Sequence, residues 1–222
     1  PASVGVYCVG FETERNEAIC SAVLAAAYAD ALPLPQQKST RVTKHALKRI
    51  KVFGGTALDS AAIQAAAGGN NLARWLTAQP PNVLTATAYR NFVSDLCKQY
   101  GLGYEFISEK KLTTLGAGAF LAVSQGNRER DAGILRIRYR PKGTKRSEQR
   151  PAVALIGKGI LFDTGGTNLK PFKSMLDMHG DMQGSAVALG SIIAMAEMNV
   201  PYSVDAWLAV TENRIAADSY KS

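Results

Sequence analysis

The sequence predicts a layered α/β protein with a largely buried sheet, and three patterns carry that expectation. Apolar runs of strand length, such as 152–156 and 204–210, alternate with longer helix-like segments. Leu135, Ile137 and Tyr139 alternate with Arg136, Arg138 and Arg140, the period of a strand whose two faces meet different surroundings. Finally, 222 residues with 46% hydrophobic and 20% charged side chains suffice for one or two cores and are too apolar for a disordered chain.

Taken in order, residues 3–9 read as a short strand and the Ala-rich stretch 14–31 as a helix stopped before Pro33. Residues 33–51, rich in Pro, Gln, Lys and Arg, read as a loop followed by a strand or frayed segment. Small apolar residues over 57–78 predict a helix, interrupted at Gly68-Gly69 and ended by Pro80-Pro81. Beyond them, 87–100 reads as a helix closed by Gly101, 104–107 as a strand, 109–115 as a short helix and 118–124 as a strand. A strand at 134–140, a polar hairpin connection at 141–150, a strand at 152–156, a helix at 182–198 and a strand at 204–210 complete the reading. The junction falls at 71–85, between the end of a smaller α/β domain over 1–70 and a second domain over 86–222. No internal repeat is present.

The net charge of +8 is uneven: residues 1–78, 79–150 and 151–222 contribute +3, +7 and −2. A basic strand can neutralise phosphates, with binding that weakens steeply in salt. The run lacks interleaved exposed aromatics and any nucleic-acid module signature, so a solvated strand face is favoured. Nucleic-acid contact through Arg136, Arg138 and Arg140 is the alternative. The longest apolar stretch, 22–29, falls far short of the roughly 20 residues of a membrane helix, and no charged-then-apolar leader precedes it. Neither a membrane span nor a secretory signal is expected. Cys8, Cys20 and Cys97 are odd in number and scattered, unlike a zinc knuckle or a disulfide framework, and fit a reduced, cytoplasmic setting. His45 and His179 are too few for an imidazole-rich metal centre. Opening on Pro1, the chain reads as a piece of something longer.

Chemistry concentrates in residues 157–185, GKGILFDTGGTNLKPFKSMLDMHGDMQGS, after the apolar strand AVALI. Ligands of open α/β sheets sit at the carboxyl ends of strands, which is where this segment is expected to begin. Gly157-Lys158-Gly159 fails as a phosphate loop, because Ala152 and Gly159 stand where a glycine and a hydroxyl residue are required. Phe162-Asp163-Thr164-Gly165 echoes an aspartic protease, but that chemistry needs two carboxylates sharing a proton and no second Asp-Thr-Gly exists. A third reading is a two-metal site. Asp163 on a glycine-rich turn can bridge two ions, Asp181 can reach in from another element, and Lys158 can be a ligand once a metal displaces its proton. Lys170 would remain an ammonium that stabilises an oxyanion. Taken singly, Asp181 reads as a helix cap, Asp163 as a turn residue and the lysines as surface charges. Their ordered combination favours the site.

The order GKGxxFDxGGxxLKP followed by MxxMxxDMxGxA resembles the leucine aminopeptidase, or cytosol aminopeptidase, family of dinuclear metallopeptidases. Arg74, Leu76, Pro80, Asn82, Leu84 and Thr85 resemble that family's interdomain junction. The resemblance covers about 71–222 and, more faintly, the first 70 residues. It implies a three-layer α/β/α catalytic fold, two divalent ions (Mn2+ or Zn2+), peptide substrates shortened from the amino end, and a homohexamer. By the same resemblance Lys158, Asp163 and Asp181 are metal ligands, Lys170 is the catalytic lysine and Met178 is a wall of the pocket for the first side chain. Met175 and Met182 read as core, and His179, which matches no ligand, as structural. Gln183 stands where many members have glycine and Ala78 where many have asparagine. Members continue past the equivalents of Thr211-Glu212-Asn213 and Tyr220-Lys221 into an Asn-Thr-Asp-Ala-Glu-Gly-Arg segment with two more carboxylate ligands and an arginine. Glu212 and Asp218 are not at that spacing. The resemblance thus implies an interior fragment, inactive alone, with a non-catalytic subunit as a further alternative.

Overall fold

A short parallel pair opens the chain: β1 (Ser3–Tyr7) lies beside β2 (Arg49–Phe53), with α1 (Thr13–Ala31) between them in sequence. The computed structural model describes residues 3–7, 9, 13–37, 39, 47–54, 58–144 and 150–221. Val6, Cys20 and Leu24 form the small core of this first unit, and Tyr7 stacks on Phe53 at the sheet end. Cys20 is disulfide-bonded, which corrects the expectation of a chain without disulfides, while Cys97 is free and buried. The spacing of three cysteines along the chain says nothing about which of them the fold brings near. His45 lies outside the described residues.

Helix α2 (Ser60–Thr77) starts where the Asp59 carboxylate accepts the Ala62 N–H at 3.0 Å. It runs through Gly68-Gly69 without the expected break, because Gly69 has a packing role. A Cβ at Gly69 would lie 2.4 Å from the carbonyl oxygen of Gly190, on α7 (Gln183–Glu197). The two glycines let α2 and α7 cross backbone to backbone, and that close packing offsets the roughly 1 kcal/mol a helical glycine costs against alanine. The same helix holds the first unit. The Asn71 side chain donates to the Tyr28 carbonyl at 2.9 Å and the Arg74 guanidinium to that of Ala29, both among the orphan carbonyls ending α1. Residues 71–77 of the expected junction are therefore continuous helix touching both units.

The main sheet has the order β3 (Gly103–Ser108), β4 (Gly133–Tyr139), β6 (Val204–Asn213), β5 (Val153–Asp163). Neighbours are antiparallel except β5 and β6, which are parallel. Leu135, Ile137, Val204, Ala206 and Leu208 pack against Leu76, Tyr89, Val93, Leu189 and Ile192 from α2, α3 (Ala86–Tyr100) and α7. Thr85 caps α3 and Gly101, at φ 65°, closes it as expected.

Three expectations are corrected. Residues 118–124 form a helix, α5 (Gly118–Ser124), after α4 (Glu109–Thr114); a mostly apolar stretch of seven residues without a period does not discriminate strand from helix. The 141–150 connection is no hairpin, since β6 lies between β4 and β5; residues 145–149 of it are outside the described set. Strand β5 runs on to Asp163, so Lys158 sits within the strand and not past its end.

On the other face of β4, Arg136 and Arg140 each place a guanidinium nitrogen 2.7 Å from a different oxygen of Asp205, which is 1% exposed. Arg136 also lies over Trp207, and Arg138 comes within 3.7 Å of Glu105. This face is substantially neutralised from within, and no described helix is long and apolar enough to cross a membrane.

Candidate active site

Strand β5 carries Lys158 and Asp163, and α7 is pressed against it by missing side chains. A Cβ at Gly157 would lie 2.5 Å from the Cα of Ser185 in the first turn of α7. Because the helix start sits so close, Asp181, two residues ahead of α7, comes within reach of the strand. The Lys158 ammonium donates to Asp181 Oδ2 at 2.5 Å, with the lysine 59% and the aspartate 20% exposed. Asp181 is not the N-cap of α7: Met182 holds that position and no side chain caps the helix.

Asp163 ends β5 and enters a turn in which Gly165 and Gly166 have φ of 87° and 67°, values that favour glycine. Its Oδ1 accepts the Gly165 N–H at 2.9 Å and the Asn213 side-chain amide at 2.7 Å. Its Oδ2 faces the Lys170 ammonium at 2.7 Å. Burial pushes this carboxyl upward; Lys170, the Gly165 N–H and Asn213 outweigh it and hold the group below the ordinary carboxylate value. The turn returns through the Lys170 N–H, which donates to the Thr164 carbonyl at 2.9 Å.

Lys170 also points its ammonium at Met178 Sδ, 2.8 Å away. After the short α6 (Phe172–Met175), Met178 opens a 3-10 turn (Met178–Gly180) whose C-cap is Asp181. Two lysine–carboxylate pairs, Lys158–Asp181 and Lys170–Asp163, are thus linked through Met178 in one part of the molecule. Met175 is half-buried and Met182 fully buried in the core, while His179 is half-buried within the 3-10 turn. Beside the turn of Asp163 lies a cavity of about 470 Å³ lined by Val123, Gly126, Gly165, Gly166, Asn213 and Arg214.

Each aspartate turns one oxygen toward a cationic nitrogen, the disposition a hard divalent ion requires of its carboxylate ligands. The oxygens of Asp163 and Asp181, with the Lys158 amine once deprotonated, suit such an ion in donor type. They are few: among the described residues no group of three His, Cys, Asp or Glu is gathered to hold a metal. Glu212 is turned to Lys221 at 2.8 Å, and Asp218 pairs with Arg128 at 3.2 Å. Asn213 is the site residue that pattern reading missed as a participant. The only signal was its place in Thr211-Glu212-Asn213, just beyond an apolar strand.

A mixed α/β domain carrying lysine–carboxylate pairs on a glycine-studded strand and turn defines the class. The sequence pattern of the cytosol aminopeptidase family, catalytic domain, matches residues 71–222, and the chain belongs to that family. Solved structures agree in fold. An apo leucyl aminopeptidase from Trypanosoma cruzi superposes with a TM-score of 0.81 at 24% identity, over 98% of this chain and 41% of that one. Cytosol aminopeptidase from Coxiella burnetii gives 0.78 at 24%, over 99% and 44%. The bottromycin maturation enzyme BotP, in complex with Mn, gives 0.74 at 26%, over 93% and 42%. The chain spans about two fifths of the length of these structures.

Proposed function

We propose that this chain forms part of a metal-dependent aminopeptidase that releases amino-terminal residues, leucine-like ones among them, from peptides. The observation supporting it most strongly is the linked arrangement of the Lys158–Asp181 and Lys170–Asp163 pairs within the stretch that matches the family's catalytic domain. Two bound divalent ions, Mn2+ or Zn2+, would supply a nucleophilic water and polarise the scissile carbonyl. Lys158, Asp163 and Asp181 are the residues of this chain that would hold them, with Lys158 giving up its proton as it binds. Lys170 stays an ammonium, neutralised by Asp163 in the resting site and placed to receive the negative charge that develops on the carbonyl oxygen. Met178, touching Lys170, lines the space for the first side chain. A homohexamer in the cytosol is the assembly and location that fit this reading.

Three donors are fewer than a pair of ions needs, so the 222-residue chain by itself is expected to hold metal weakly and to be inactive. Leucine-arylamide hydrolysis with added Mn2+ checks both statements. A polypeptide joining this chain to the remaining donors should turn over the substrate and lose at least a hundredfold on Lys170→Ala. A rate from the 222-residue chain approaching that of the longer polypeptide would refute the donor-count argument.

A further inference from the structure

We infer that Asn213 is a positioning residue that aims Asp163, and through it the metal-facing side of the site. This rests on the metallopeptidase reading above. The register of β5 on β6 shifts between Ile160 and Asp163, and after the shift Asp163 stands directly opposite Asn213. Across that pair the Asn213 amide donates to Asp163 Oδ1 at 2.7 Å. The Asn213 carbonyl accepts from the Thr164 N–H at 3.0 Å and the Thr164 hydroxyl at 2.9 Å. One residue therefore grips the aspartate by its side chain and the following turn by its main chain. With the Gly165 N–H also on Oδ1, that oxygen has two donors and the carboxylate plane is fixed. Only Oδ2 remains to face a cation, and Lys170 marks its direction at 2.7 Å. An amide is the fitting side chain here, because a carboxylate in its place would set acceptor against acceptor.

The test is Mn2+ binding by the full 222-residue chain, read from the electron spin resonance of the free ion, with thermal melting in the absence of metal alongside. Asn213→Ala is expected to weaken binding about tenfold, the effect typical of removing an outer-shell partner of a ligand. Its metal-free melting should stay cooperative. Asn213→Ser, which keeps a short donor on the strand, should recover part of the affinity, and Asp163→Asn should abolish saturable binding. Unchanged affinity in Asn213→Ala, with binding lost in Asp163→Asn, overturns the role of Asn213 and leaves the metal reading standing. Equal binding by the parent chain and Asp163→Asn, or no saturable binding by the parent even at millimolar Mn2+, where the weak site expected of three donors would still fill, overturns both. Loss of folding in both Asn213 variants would assign the residue to strand register alone and also overturns the inference.

Discussion

Asp205 is 1% exposed and faces two guanidiniums, so it organises the strand face that composition alone presented as a bare basic patch. Replacing it with alanine leaves Arg136 and Arg140 half-buried without their shared counter-charge. A loss of about 3 kcal/mol is expected, measurable by urea unfolding. Cys97, on the buried face of α3, has its thiol pushed up to about 11 by burial, from an ordinary 9.0. The native state keeps the proton that the unfolded chain releases first. The stabilisation is therefore complete below about pH 9 and is lost as pH rises toward 11. Stability of the parent chain should fall more steeply across that interval than that of Cys97→Val, as followed by denaturant titration. At this scale the order of the sequence singled out Lys158, Asp163, Lys170 and Asp181 as candidates, but not who faces whom. That Lys170 faces Asp163 while Lys158 faces Asp181 depends on how a helix start docks on a strand.

At the scale of elements, glycines such as the pair read as a helix interruption include contacts between backbones. Gly69 is the sharpest case. A Cβ there would meet Gly190 O at 2.4 Å, whereas one at the adjacent Gly68 has no neighbour closer than 3.9 Å. Gly69→Ala should cost 2 kcal/mol or more by forcing α2 and α7 apart, and Gly68→Ala should be neutral or stabilising by up to about 1 kcal/mol. Melting temperatures of the two variants decide it. The pattern 157–159 follows the same logic, since Gly157 admits the first turn of α7 against β5. Strands β3, β4 and β6 and helices α1, α3 and α7 were legible because apolar runs of strand or helix length are bounded by glycine, proline or an explicit cap. Helix α5 was not, being seven residues without a period, and β5 was cut short because its glycines read as a turn. The place of β6 between β4 and β5 is a long-range pairing that no local pattern encodes.

For the molecule as a whole, two cores of unequal size imply unequal resistance to opening. The first unit is built on Val6, Cys20 and Leu24, while the main core gathers side chains from four elements and more. Native-state hydrogen exchange should release the amides of β1 and β2 well before those of β4 and β6. The internal neutralisation of the arginine strand predicts weak nucleic-acid retention, and filter binding over a salt series should show no steep slope. The family match covers the stretch from Asn71 onward, where the Lys170 ammonium of one charge pair rests on the Met178 thioether. That sulfur gives the protein an oxidant-sensitive spot. A sulfoxide at Met178 would set a hard oxygen against the Lys170 ammonium in place of a soft, weak acceptor, tightening the lysine's tether. Peroxide exposure during storage would then age the site chemically while leaving the fold intact, and methionine sulfoxide reductase would restore it.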